Sequence, residues 1–121
     1  MLDKLLKLVD LIEVLDGGKP LVKPDPLVGQ YVIVRTYSAG VFAGILDSRN
    51  GKEVTVKNAR RLWQWSGAAS LSQLAMEGVK NPDGCKFPCE VDFVFLTEAI
   101  EVLPVTEAAR KSIAEVPVWK K

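Results

Sequence analysis

The stretch Y-V-I-V-R-T-Y-S-A-G-V-F-A-G-I-L-D-S-R-N-G-K-E-V-T-V, residues 31–56, decides the fold. Tyr31 to Arg35 and Val41 to Leu46 are rich in β-branched and other apolar residues, and Glu53 to Val56 continues in the same style, so a β-meander is expected. Asn50-Gly51 is the strongest hairpin signal in the chain, because both residues tolerate the positive φ of a primed turn. Tyr37-Ser38-Ala39-Gly40 joins the first two strands. Its Ser38 and Gly40 can also turn backbone N–H groups toward an anion, although a plain hairpin turn is the simpler reading.

Immediately downstream lies A-R-R-L-W-Q-W-S-G-A-A-S-L-S-Q-L-A-M-E-G, residues 59–78, the densest collection of ligand-type groups. If Arg60 to Trp65 is a strand, Arg61, Trp63 and Trp65 share one face, and Arg60, Leu62 and Gln64 share the other. Arginine presents a planar fork to phosphate or carboxylate oxygens, and an indole face accepts a stacked base. The competing reading buries both tryptophans in the core and leaves the arginines solvated or paired with acids. Ser70 reads as an N-cap with Gln73 completing a capping box over a helix Leu71 to Glu77, which Gly78 ends. The free N–H groups at that helix start would form an anion seat near Arg60 and Arg61.

Further along, Asn81-Pro82-Asp83-Gly84 is a turn or exposed loop. Val91 to Leu96 is a strand, Thr97 to Leu103 is extended, and Pro104 ends it. Thr106 caps a last helix through Ile113, and V-P-V-W-K-K forms an extended tail whose Trp119 must pack somewhere. Upstream, Leu2, Leu5, Leu8, Val9, Leu11, Ile12 and Leu15 cover a wide arc of a helix opposite its charges. Gly17 and Gly18 stop it, and K-P-L-V-K-P-D-P is a semi-rigid connector. The helix is expected either to form a homo-oligomer through Leu2 to Leu15 or to fold back on its own sheet. The divisions are an N-terminal helix over 1–16, a linker over 17–28, and one domain over 29–121. The fold class is α+β: an N-terminal helix plus a small, strongly bent antiparallel sheet or half-open barrel, with an inserted helix and a short C-terminal helix.

Composition narrows the function classes. The 121 residues, 48% hydrophobic, suit a single core, and a net charge of +1 argues against a general binder of duplex nucleic acid. Charge is segregated, however. Residues 31–65 carry six basic groups against two acids, whereas residues 73–107 carry seven acids against two lysines. Asp3, Lys4, Lys7, Asp10 and Glu13 interrupt the apolar N-terminus, so neither a secretory signal nor a transmembrane segment is expected. Cys85 and Cys89 in C-K-F-P-C read as ordinary thiols, and without histidine a metal site within one subunit is not expected. P-loop, G-x-G-x-x-G and G-x-S-x-G motifs are absent, so binding or assembly is preferred to catalysis, and no cofactor is expected.

The segments Y-V-I-V-R-T-Y-S-A-G-V-F-A-G, N-G-K-E-V and A-R-R-L-W-Q-W-S-G-A-A-S-L-S-Q-L-A, followed by L-T-E-A-I-E-V-L, resemble a family of small phage- and prophage-encoded proteins, mostly without assigned function. The order of elements is also similar to the phage anti-Thoeris sponges. Those proteins sequester glycocyclic ADP-ribose between subunits, and some also hold cyclic oligonucleotides. The resemblance implies a non-catalytic protein of the host cytoplasm whose partner is a nucleotide-derived signalling molecule. It implies phosphate contacts from Arg60, Arg61 and Arg110, base contacts from Trp63, Trp65, Tyr37 or Phe87, and hydrogen bonds from Asn58 and Ser38. The alternative is a phage structural or host-interaction module with no small-molecule ligand.

Overall fold

The computed structural model describes residues 25–120. The expected N-terminal helix and the linker as far as residue 24 lie outside the described residues. The elements are β1 (Tyr31–Thr36), β2 (Val41–Asn50), β3 (Glu53–Arg61), α1 (Leu71–Glu77), β4 (Glu90–Leu96), β5 (Ala99–Pro104) and α2 (Glu107–Ala114). Neighbouring strands are antiparallel, in the order β4-β3-β2-β1-β5. The fold is α+β, with α1 inserted before the last two strands and α2 closing the domain. Several boundaries differ from the sequence reading: β2 continues past Leu46 to Asn50, and β5 starts at Ala99 and includes Pro104. The third meander strand runs without a break into Arg61, and Trp63 to Trp65 lie beyond it, held to the loop before β4 by a bridge between Gln64 and Lys86.

The connection from β4 to β5 sets the curvature. Only Thr97 and Glu98 separate these strands, yet they occupy opposite edges of the sheet. Four strand spacings in a flat sheet come to about 19 Å, whereas the three Cα steps from Leu96 to Ala99 reach at most about 11 Å. The sheet therefore curls until its edges approach at this corner. There Ala99 N donates to Lys52 O (3.0 Å) and Tyr37 N to Glu98 O (3.0 Å). The result is a half-open barrel whose concave side is filled by its own strands: Val32, Val34, Phe42, Leu46, Val56 and Leu96 are all buried there. The other face of β1 and β2, with Ile33 and Ala43, packs against Leu74, Phe87, Ile113 and their neighbours from the inserted segment and α2.

A bulge in β3 decides which way the two arginines point. Ala43 pairs with Arg60 and Ile45 with Lys57, so Gly44 alone stands opposite Asn58 and Ala59. Asn58 takes φ +49°, a conformation asparagine tolerates better than most residues. The bulge brings β3 so close that a Cβ on residue 44 would lie 2.6 Å from Lys57 O and 2.6 Å from Val56 Cγ1. It also shifts the alternation. Val54 and Val56 face the barrel interior before it, and Ala59 does so after it. Arg61 pairs with inward-facing Phe42, and Arg60 with Ala43 on the helix side.

Hydroxyls lock the helical layer. Ser70 Oγ accepts from Gln73 N (3.1 Å), while Gln73 Oε1 accepts from Ala69 N (2.7 Å), one residue earlier than a standard capping box would place it. Thr106 Oγ1 accepts from Ala109 N (3.1 Å) and donates to Met76 O (2.7 Å), so one side chain starts α2 and fastens the end of α1. Trp119 N donates to Phe87 O (3.0 Å), and its ring lies 5.5 Å from the Lys86 ammonium, which is how the tail packs.

Candidate functional site

Past the bulge, β3 delivers Arg61 to the open end of the barrel beside the β1–β2 turn. Its Nη1 donates to Ala39 O, and the guanidinium carbon sits 4.4 Å from the centroid of the Phe42 ring. This stacking holds the fork in place while Nε and Nη2 have no acceptor among the described residues. Leu62 then turns into the core and Trp63 emerges, 64% exposed. Trp65 is half-buried against the helical layer. Together with Ser38, Ala39, Gly40 and Val41, these residues line a cleft of about 430 Å³. Gly40, at φ +100°, carries the turn past Arg61: a Cβ there would lie 3.5 Å from Arg61 Nη1. Ser38 Oγ donates to Glu98 Oε1 (2.8 Å), which fixes that wall.

The predicted site residues divide into those the cleft gathers and those it does not. Arg61, Trp63, Trp65 and Ser38 are brought together. Tyr37 is 79% exposed and does not line the cleft. Phe87 is fully buried between the sheet and the tail, so its ring faces are closed to a ligand. Arg60 is buried and committed to five carbonyls. Nε donates to Pro88 O (3.0 Å), Nη1 to Ile113 O (2.9 Å), and Nη2 to Phe87 O (3.1 Å), Val116 O (2.7 Å) and Pro117 O (3.2 Å). Burial lowers the pKa of this guanidinium, opposed by the nearby Tyr31, Glu90, Cys85 and Cys89. Arg110 lies over the Tyr31 ring at 4.8 Å and shares with Asn58 and Arg60 a separate hollow of about 150 Å³. The start of α1 does not line the cleft either, and of its leading N–H groups Gln73 N is taken by Ser70 Oγ.

Sequence reading missed a second cleft on the other side of Arg61. It encloses about 400 Å³ and is lined by Phe42, Ala59, Pro88, Cys89, Val91 and Phe93 among others. The signal was present in E-V-D-F-V-F-L, where Val91, Phe93 and Phe95 alternate along β4, but nothing in the pattern alone shows that this row is left uncovered. Both cysteines are free thiols, Cys85 buried and Cys89 exposed. Among the described residues, no group of three or more Cys, Asp or Glu side chains is placed to hold a metal ion, and no helix is long and apolar enough to cross a membrane.

Residues 29–113 match a protein family described as a domain of unknown function, DUF6948. The chain belongs to this family. The match takes in all five strands, α1 and most of α2, and with them every residue that lines the Arg61 cleft. No curated protein matches the chain.

Proposed function

We propose that this member of the DUF6948 family is a non-catalytic binding protein for a nucleotide-type anion. The observation that carries the reading is the convergence of Arg61, Trp63 and Trp65 on one cleft of about 430 Å³, within the usual range for small-molecule sites. The free donors of Arg61 meet phosphate oxygens, the exposed indole of Trp63 stacks on the base, and the turn carrying Ser38 closes the opposite wall. A stacked base contributes about 1–3 kcal/mol. The lining offers no histidine and no carboxylate to act as general base, so the ligand is held and released unchanged.

A narrower form of the proposal is supported by the resemblance in element order to the anti-Thoeris sponges: the ligand is a nucleotide-derived immune signal of the glycocyclic ADP-ribose type, or a cyclic oligonucleotide, sequestered in the host cytoplasm. The test is a calorimetric titration of the full chain against glycocyclic ADP-ribose isomers, cyclic di- and trinucleotides, ADP-ribose and NAD, followed by mass spectrometry of the recovered ligand. A tight complex that yields its ligand intact on denaturation supports the reading. Turnover of the ligand, or no heat with any member of the panel, overturns it.

A further inference from the structure

β4 is an edge strand with an uncovered apolar row. Val91 is 47% exposed, Phe93 50% and Phe95 75%, and the strand pairs on one side only among the described residues. The row is flanked by the cleft of about 400 Å³ that holds Val91 and Phe93, and by a hollow of about 320 Å³ where Phe95 meets Ser48, Asn50 and Thr55. Aromatic side chains in such a row, on an edge without lysine or proline, are a liability unless something covers them.

The chain has a segment that needs cover of this kind, and it enters the domain at the right place. Asp25, the first described residue, is ion-paired to Arg49 at 3.5 Å, and Leu27 packs against the barrel core. Arg49 sits between Ser48 and Asn50, two residues of the hollow beside Phe95. Its partner on β3 is Val54, and the partner of Val54 on β4 is Leu96, so the entry point is two strand spacings, about 10 Å, from β4 along the sheet. Val54 and Leu96 face the barrel interior, and a linker to the row passes round the end of the strands to the other face. Residues 16–24 include Pro20 and Pro24, and in extended form they reach about 28 Å. The row from Val91 to Phe95 spans about 13 Å, and a helix over Leu2 to Leu15 would span about 21 Å.

We infer that the N-terminal segment Leu2–Leu15 folds back in the same molecule and lays its apolar arc along Val91, Phe93 and Phe95. The short tether decides for the same molecule over a neighbour. It holds the segment near the row at an effective concentration in the millimolar range, above ordinary protein concentrations. The docked segment covers the exposed β4 row and leaves the tryptophan side of Arg61 open.

The experiment uses the full chain with a nitroxide on Cys89, which is exposed just before β4 while Cys85 is buried. The expected result is strong loss of NMR intensity for residues 2–15 in the labelled molecule itself. Little or no loss is expected in an isotope-labelled copy mixed with nitroxide-labelled, isotope-free protein. A label-free arm introduces Phe93→Lys with Phe95→Lys. The signals of residues 2–15 should then shift toward random-coil positions while those of the helical layer stay in place. Unmoved signals in both arms, or broadening only in the mixed sample, would overturn the inference.

Discussion

Arg60 Nη2 and the Val116 carbonyl oxygen are joined at 2.7 Å, a bond that ties the end of β3 to the chain just past α2. The same guanidinium reaches Ile113 O in the last turn of α2, where a cation also meets the negative end of the helix dipole. Arg60 is thus a structural bolt, whereas its neighbour Arg61 keeps two donor nitrogens free of acceptors among the described residues.

The adjacent arginines should respond to mutation in opposite ways. Arg60→Met strands several buried carbonyls and should cost on the order of 3 kcal/mol or more of unfolding free energy. Arg60→Lys should recover only part of this, because an ammonium cannot span the same fork of acceptors. Arg61→Ala removes a partly exposed side chain and should cost about 1 kcal/mol or less. Urea denaturation of the three variants checks the order, and equal losses at both positions would contradict it.

Gly44→Ala tests the bulge. The added methyl would meet the Lys57 carbonyl and the Val56 side chain at 2.6 Å, and β3 can yield only by opening the ladder. A loss of about 1–3 kcal/mol in thermal or chemical unfolding is expected from such overpacking. The same substitution at Gly29, where a Cβ meets nothing within 4 Å, lacks the clash and reports only the cost of its positive φ.

Thr106→Val keeps the shape of the side chain and removes both its cap to Ala109 N and its bond to Met76 O. A cap alone is worth about 1 kcal/mol, so a somewhat larger loss is expected here than for Ser70→Ala, whose hydroxyl serves α1 only. Hydrogen exchange should show both helices loosened by the Thr106 change and α1 alone by the Ser70 change.

Tyr31 gives the domain an alkaline limit. Burial raises its pKa above the ordinary 10.0 and Glu90 adds to this, with Arg110 and Arg60 opposing. The unfolded chain therefore releases this proton at lower pH than the folded one does. The contribution is fully present below pH 10 and is lost as pH rises from there through the folded pKa. Tyr31→Phe should flatten the fall in stability in that window, measured as unfolding midpoint against pH.

The sequence made the meander and both capped helices legible because each depends on a few adjacent residues. The hairpin after β2 was also legible, but its turn lies one residue later than expected, at Gly51 and Lys52, with Asn50 still in the strand and only Gly51 at positive φ. The curling of the sheet was anticipated only in outline. It follows from the two-residue link Thr97-Glu98 combined with a strand order that pairs β5 with β1, and strand order is a long-range property. The bulge at Asn58 was hidden, since Lys57-Asn58-Ala59 carries no glycine and the glycine that permits the bulge is Gly44 on the neighbouring strand. That omission explains the site as well. Arg61, Trp63 and Trp65 line one cleft, but not through the alternation expected of a strand from Arg60 to Trp65, because β3 ends at Arg61 and the tryptophans lie in the irregular segment beyond it. Arg60 and Phe87 could not be recognised as core from local pattern, because their partners are carbonyls and helices up to 57 residues away in sequence.

The most direct measurement of the central claim is tryptophan emission during titration with the nucleotide panel, for the parent chain and for Arg61→Ala. The account predicts a saturable change in the parent chain through Trp63 and Trp65. In Arg61→Ala it predicts that the response is lost while the unfolding midpoint barely moves. Unaltered affinity in Arg61→Ala, with the fold intact, would contradict it.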